Sequence, residues 1–95
     1  GDMVQRGKPH PEPDELAFDR LRGLVPDLVK DRVVAIEDSL PGVTSATAAG
    51  LVTLGVPHFL PLPPAGDRHE WETLAGRSAA DLASLVTSTP AGATR

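Results

Sequence analysis

The sequence predicts an α/β fold that contains a parallel strand–helix–strand unit with flanking helices. An unbroken apolar run at 33–36 is followed by a helical stretch of small residues at 43–49 and by a second apolar run at 51–56. Two short strands joined by a helix are expected to pair in parallel with a right-handed crossover. The chain has 95 residues, 40% hydrophobic and 23% charged, which is typical of one small folded domain and not of a disordered segment.

The first helix is predicted to follow a proline-rich loop at 1–13. Proline fixes the backbone angle φ and has no N–H, so the loop is extended, whereas Pro13 suits the first turn of a helix. Apolar residues then recur four, three and four positions apart, as on one face of a helix: Ala17, Leu21, Leu24 and Leu28. The glycine and proline around this stripe should end the helix near Leu24 or Val25.

The run Val33–Ile36 lacks the alternation of a half-buried strand, so it is predicted to be a central strand covered on both faces. Residues 38–41 are predicted to form a turn. Residues 43–49 are predicted to form a short helix that Gly50 closes, because glycine tolerates the left-handed conformation that ends many helices. Residues 51–56 then form the second strand.

The C-terminal part is predicted to be less regular. Residues 57–66 hold four of the ten prolines and are predicted to cross the surface as a loop. A short helical turn is expected from Glu70 onward, followed by a helix at 79–86 with Ser78 as its N-cap. Residues 87–95 are expected to be a flexible tail.

Composition argues against several classes of function. The net charge is −4 and the charges are scattered, whereas nucleic-acid partners usually require a basic patch. The absence of cysteine excludes disulfides and thiolate metal sites. No apolar run reaches the roughly 18 residues of a membrane span and no secretory signal is visible, so we expect no membrane partner and a cytoplasmic location.

Two adjacent carboxylates, Glu37 and Asp38, stand where the first strand ends, and ligands bind at that edge of open α/β sheets. Oxygen donors of this kind suit Mg²⁺, which takes one or two carboxylates and keeps several waters. An isolated Glu-Asp-Ser run is more often a solvated turn in which Asp38 and Ser39 cap the next helix. The apolar strand before the run, the Pro-Gly pair after it and a lysine loop upstream favour the metal site.

Lys8 lies on the stiff loop just before the first predicted helix. Its ammonium is suited to bind a phosphate there, reinforced by the helix N-terminus. A Gly-Lys-Pro run alone is a weak signal, because most lysines are exposed surface residues. Together with the prolines after it and the carboxylates downstream, it predicts a phosphate-binding lysine. Lys8 and Asp38 are therefore expected to face one crevice.

The lysine loop at 7–13 and the run at 33–43, in this order and spacing, resemble the second half of a haloacid dehalogenase-like (HAD) phosphatase. The subgroup that includes phosphoglycolate phosphatase-like and β-phosphoglucomutase-like enzymes fits best. The resemblance implies a partial Rossmann-like sheet, the C-terminal half of the HAD core, over 1–86. It also implies a small phosphorylated metabolite as substrate.

The resemblance assigns a role to each candidate site residue. Lys8 would anchor the phosphoryl group and stabilise the nucleophile. Asp38 would bind Mg²⁺ directly, and Glu37 would support the metal, often through water. Ser39 and Gly42 would shape the metal loop.

One departure from the family concerns the nucleophile. The family's nucleophile and acid/base lie in an Asp-x-Asp motif on its first strand, and no Asp-x-Asp occurs in this chain. We therefore expect a fragment, inactive alone, of a parent that hydrolyses a small phosphomonoester through an aspartyl-phosphate on a residue absent here. A phosphoglucomutase-like isomerase parent and a non-catalytic binding or regulatory remnant are the alternatives, which upstream sequence would separate. Because Val33–Ile36 would lack a neighbouring strand, we also expect self-association or pairing with the missing N-terminal half.

Overall fold

The computed structural model describes residues 5–58 and 60–87. Its elements in chain order are helix α1 (Glu12–Leu24), strand β1 (Val34–Glu37), helix α2 (Leu40–Ala48), strand β2 (Val52–Gly55), strand β3 (His69–Glu70) and helix α3 (Ala79–Ser84), with 3₁₀ turns at Lys30–Arg32 and Leu85–Thr87. The strands form one sheet in the order β1-β2-β3, and both neighbouring pairs run parallel. The predicted α/β class and the parallel strand–helix–strand unit are confirmed.

Small residues let α2 lie close to the sheet. The buried residues of α2 are Gly42, Val43, Ser45 and Ala46. Opposite them, Leu54 of β2 is fully buried, which contributes about 1.5–3 kcal/mol for a side chain of this size. A second apolar cluster joins α1 to the sheet and consists of Phe18, Ala49 and Leu51, with Leu28, Val33 and Ala35 packed against it.

Helix α1 ends at Leu24 as predicted, but the apolar stripe that predicted the helix is not its buried face. Leu24 is 81% exposed and Leu21 is 41% exposed. The buried residues of α1 are instead Asp14 and Phe18. None of the helices within the described ranges is long and apolar enough to cross a membrane.

Strand β1 lies at one edge of the described sheet, with β2 as its neighbour. The prediction of a strand covered on both faces is wrong for this chain, because Ile36 is 43% exposed and the other residues of β1 are only half-buried. An apolar run shows that both faces suit burial, but it does not show whether the same chain supplies both covering layers. The strand extends to Glu37, which pairs with Gly55 at the carboxyl end of the sheet.

Helix α2 begins at Leu40 and not at 43, within the segment predicted to be a turn. Ser39 is the reason, because its side-chain oxygen accepts a hydrogen bond from the Gly42 N–H at 3.2 Å and caps the helix N-terminus. At the other end, Gly50 follows the C-cap with φ of +83°. The predicted closure of the helix by Gly50 is confirmed.

Strand β3 was not predicted, and the helical turn expected from Glu70 onward is wrong. Two residues are too few for alternation to show in the sequence. The Trp71 N–H donates to the Gly55 carbonyl at 3.0 Å and so continues the pairing of β3 with β2. His69 is a buried residue of this strand.

Helix α3 begins as predicted. Ser78 caps it in a reciprocal arrangement with Asp81, each side chain accepting a hydrogen bond from the other's backbone N–H. Leu85 in the following 3₁₀ turn is buried. Of the tail predicted at 87–95, all residues after Thr87 lie outside the described part of the chain.

Candidate functional site

The loop before α1 meets the carboxyl end of β1 through one ion pair. Lys8 Nζ lies 2.8 Å from Glu37 Oε1, although 29 positions separate the two residues in sequence. The Lys8 side chain is 40% exposed and the Glu37 side chain 12% exposed. The two motifs predicted to serve one site therefore do lie together, at the sheet edge where α/β proteins bind ligands.

Buried hydrogen bonds tie the lysine loop to α2. The Ser45 hydroxyl lies 2.6 Å from Asp14 Oδ2 and 2.9 Å from the His10 carbonyl oxygen. Within the loop, the His10 N–H donates to the Gly7 carbonyl, and His10 Nδ1 accepts from the Glu12 N–H. The position of the lysine is thus fixed through contacts on both sides of it.

Gly42 makes room for the Glu37 side chain. A Cβ at position 42 would overlap the Glu37 carboxylate, lying 3.0 Å from Glu37 Cδ and 3.1 Å from Glu37 Cβ. Distances of this size are too short for carbon atoms that do not move apart. The first turn of α2 therefore needs a glycine here if the Glu37 carboxylate is to lie against it and face the lysine.

The charges around Lys8 favour its ammonium form. The hydrogen bond with Glu37 raises the pKa of Lys8 above its ordinary value of 10.5, and the charges of Glu37, Asp14 and Asp38 act in the same direction. Partial burial of Lys8 opposes this rise. The site thus holds a permanent cation among carboxylates, which suits the capture of an anion when a metal offsets the carboxylates.

Asp38 is exposed and lines two clefts. One, of about 420 Å³, lies between residues 38–41 and the segment 60–63. The other, of about 520 Å³, is bounded by residues 72–74. Lys8 was expected to share a crevice with Asp38; its direct partner is Glu37, while Asp38 is close enough for its charge to raise the pKa of Lys8.

The 420 Å³ cleft, called the groove below, has two different walls. Asp38, Ser39, Leu40 and Pro41 line one side. His58 and residues 60–63 line the other. Residues 60–64 are called the proline segment below, because three of its five residues are proline. Apart from Asp38, Ser39 and His58, the described lining is apolar.

The donor set fits a hard divalent cation that brings most of its own ligands. Within the described residues, no group of three or more His, Cys, Asp and Glu side chains could hold a metal. Two neighbouring carboxylates, Asp38 exposed and Glu37 half-buried, offer the one or two protein oxygens that Mg²⁺ uses beside water and phosphate. They do not match the three or four protein ligands of a zinc site.

Sequence reasoning missed residues that build the site without touching a ligand. Asp14 lies in the first turn of α1 and is buried against Ser45. Arg68, which holds the proline segment, was not singled out. No local pattern marks such residues, because their roles depend on contacts between distant elements.

Comparisons with known proteins agree with the fold. No family model matches the chain. The chain is 43% identical over 61 residues to a phosphorylated carbohydrates phosphatase of Thermotoga maritima, which is 63% of this chain and 26% of that protein. The crystal structure of CbbY from Rhodobacter sphaeroides in complex with phosphate superposes with a TM-score of 0.71 and 37% identity, over 86% of this chain and 36% of that one.

These similarities confirm the resemblance to HAD-like hydrolases and the partial Rossmann-like α/β fold. The chain spans well under two thirds of the length of either relative.

Proposed function

We propose that this chain provides the metal- and phosphate-binding edge of a Mg²⁺-dependent phosphatase that hydrolyses a small phosphomonoester. The contact between Lys8 and Glu37 carries the proposal, because it joins two distant motifs at the carboxyl end of β1 beside the exposed Asp38. A relative that is a phosphorylated carbohydrates phosphatase, and another solved with phosphate, support a phosphorylated carbohydrate as the substrate. They favour a phosphatase over the phosphoglucomutase-like alternative.

Each site residue then has a distinct task. Lys8 exchanges its bond with Glu37 for one with a phosphate oxygen, so that its ammonium stabilises the charge of the phosphoryl group. Asp38, the exposed carboxylate, is the direct metal ligand, and Glu37 supports the metal through water. Ser39 and Gly42 hold the loop in which these carboxylates lie.

Bound Mg²⁺ would neutralise charge on the phosphoryl oxygens and orient them for attack. In-line attack on phosphorus also needs a nucleophile and an acid for the leaving group. The family takes both from an Asp-x-Asp motif, and this chain has none. We therefore propose that the aspartyl-phosphate forms on a residue outside these 95 positions.

Phosphate binding to the chain tests the proposal without requiring turnover. Inorganic phosphate titrated with Mg²⁺ should shift the amide NMR signals of residues 38–42. Lys8→Ala and Asp38→Asn should each weaken this binding about tenfold or more, because each removes a charge-assisted contact. The chain has one other lysine, so Lys30→Ala is the matched control. Equal effects of Lys8→Ala and Lys30→Ala would contradict the assignment.

Turnover is the second test. The chain alone should hydrolyse p-nitrophenyl phosphate with Mg²⁺ no faster than its Asp38→Ala variant does. In a protein that also carries the nucleophile motif, Asp38→Asn should lower kcat by about 10²–10³-fold, a typical loss when one preorganised electrostatic contact is removed. Turnover by the 95-residue chain that depends on Asp38 would show that it contains an unrecognised nucleophile.

The side of β1 away from β2, which has no neighbouring strand among the described residues, is proposed to pair with a further strand, either from a second copy or from a chain that bears the first half of the core. β1 has β2 on one side, and its half-buried residues expose apolar surface. Sedimentation at rising concentration should therefore show association. A monomer at high concentration with slow amide exchange along β1 would contradict this.

A further inference from the structure

A buried guanidinium lies behind the groove. Arg68 immediately precedes β3 and is only 5% exposed. Arginine is rarely buried to this extent unless it is paired. Its carboxylate partner among the described residues is Glu70, with Nη2 and Oε2 separated by 3.5 Å and the Glu70 side chain 41% exposed. A long, partly solvated ion pair of this kind contributes little to stability.

The closer contact of Arg68 is to the proline segment. Its Nη2 donates to the Pro63 carbonyl oxygen. Its Nε is buried and has no hydrogen-bond partner within the described residues. The guanidinium is thus not enclosed by a full set of internal acceptors, and its main polar role is to hold the carbonyl of Pro63.

The composition of the proline segment explains why it needs such a donor. Proline has no N–H, so this segment offers carbonyl acceptors but few backbone donors and cannot pair as a regular strand. Leu62 is a further attachment among the described residues, because its side chain is buried and lies over Gly55. A Cβ at Gly55 would lie 2.8 Å from Leu62 Cδ1 and 3.5 Å from Arg68 Nε, so the bare glycine provides the space that both side chains use.

We propose that Arg68 is a positioning residue that determines specificity: it fixes the proline segment as one wall of the groove and so controls which organic group fits beside Asp38. This inference rests on the proposed function, because the groove begins at the proposed metal ligand. The facing surfaces, Leu40 and Pro41 on one side and residues 60–63 on the other, are largely apolar. They suit an ester whose organic part presents an apolar face.

Two phosphonates with the same head group separate this role from phosphate binding. Methylphosphonate should reach only the charged end of the site, whereas phenylphosphonate should also extend into the groove. With Mg²⁺ present, Arg68→Met should raise the Kd of phenylphosphonate about fivefold, equivalent to losing roughly 40 Å² of apolar contact. The Kd of methylphosphonate should stay the same. Arg68→Lys, which keeps a donor for Pro63, should restore part of the phenylphosphonate affinity, and the exposed Arg32→Met is the control.

A purely structural role for Arg68 would weaken both phosphonates by the same factor, because only the folded fraction would change. That result, or no change for either ligand, would overturn the proposal. Binding of neither phosphonate by the unsubstituted chain would count against the proposed function. The positioning role of Arg68 is then tested by a measurement that needs no ligand. The NMR contact between Leu62 methyls and Gly55 should be lost in Arg68→Met while the contact between Val43 and Gly55 remains. Persistence of the contact between Leu62 and Gly55 in Arg68→Met would refute the proposal that Arg68 positions the proline segment.

Discussion

The two walls of the groove are built in opposite ways. The wall at residues 38–41 continues from a paired strand into a capped helix, and its charged neighbours Lys8 and Glu37 are hydrogen-bonded to each other. The wall at residues 60–63 has no regular secondary structure, and among the described residues the buried Leu62 and a hydrogen bond from Arg68 hold it. The first wall carries the charged groups, whereas the second is almost wholly apolar.

The difference shows how one site can bind the metal and the phosphate with one wall and select the organic group of the substrate with the other. Charged groups that hold a metal and a phosphate must be fixed closely, because electrostatic stabilisation depends on preorganised geometry. An apolar wall contributes contact area and tolerates substitution, provided that something holds it in place. We therefore expect substitutions of the charged residues at the first wall to affect all phosphates alike and those in the second wall to change preference among them.

The largest expected loss of stability is at the anchor of the first wall. Ser45→Ala removes the hydroxyl that lies 2.6 Å from the buried Asp14 carboxylate. Leaving a buried charged group without this donor should lower the free energy of unfolding by about 2–3 kcal/mol. Urea denaturation measures the change, and Thr44→Ala at the exposed neighbouring position is the control. Similar values for the two variants would show that the buried contact does not anchor the loop.

The next largest effect should fall on the second wall. Gly55→Ala places a Cβ where Leu62 Cδ1 lies 2.8 Å away, so the proline segment must shift outward. Overpacking of this kind costs about 1–2 kcal/mol, at the lower end because Leu62 belongs to a segment with few backbone contacts. The NMR signals of residues 60–62 should change, while those of 38–42 stay close to their original positions. Equal perturbation of both walls would show that they are not independent.

The same contrast explains what the sequence could and could not predict. Ser78 as a helix cap, Gly50 as a helix end and the parallel strand–helix–strand unit were confirmed, because caps and short apolar runs have local signatures. The prediction that both faces of β1 are buried was wrong, because burial depends on layers formed by residues elsewhere in the sequence. β3 was missed because a strand of two residues is too short to show the alternation of apolar and polar residues.

The candidate site divides in the same way. Lys8, Glu37 and Asp38 were predicted from short motifs, and the structure places the first two in contact. Their chemical roles remain predictions. The contribution of Arg68 could not be predicted, because nothing near it in sequence indicates that its partner is the carbonyl of a loop residue.

A smaller effect on stability should distinguish Gly42 from Gly23, two helical glycines that the sequence alone does not tell apart. Gly42→Ala gains helix propensity but forces the Glu37 carboxylate away, so we expect a net loss of about 0.5–1 kcal/mol. Gly23→Ala in α1 meets no atom within 4 Å and should be more stable by a similar amount. Thermal unfolding gives both values. Stabilisation by both substitutions would mean that Glu37 moves aside freely and that Gly42 is not needed for the site.

The smallest effect concerns the ion pair itself. Lys8→Met removes a partly exposed ion pair and should cost only a few tenths of a kcal/mol at neutral pH, because solvent screens charges at such a position. The folded state raises the pKa of Lys8 above 10.5, so the contribution of the lysine is fully present below that pH and is lost as pH rises through the higher folded value. In metal-free buffer, the stability difference between the original chain and Lys8→Met should therefore be constant up to about pH 10.5 and shrink above it. Glu37→Gln should remove most of this dependence, since Glu37 is the main cause of the raised pKa. A difference that grows with pH, or one that survives Glu37→Gln unchanged, would show that Lys8 is held by something other than this carboxylate.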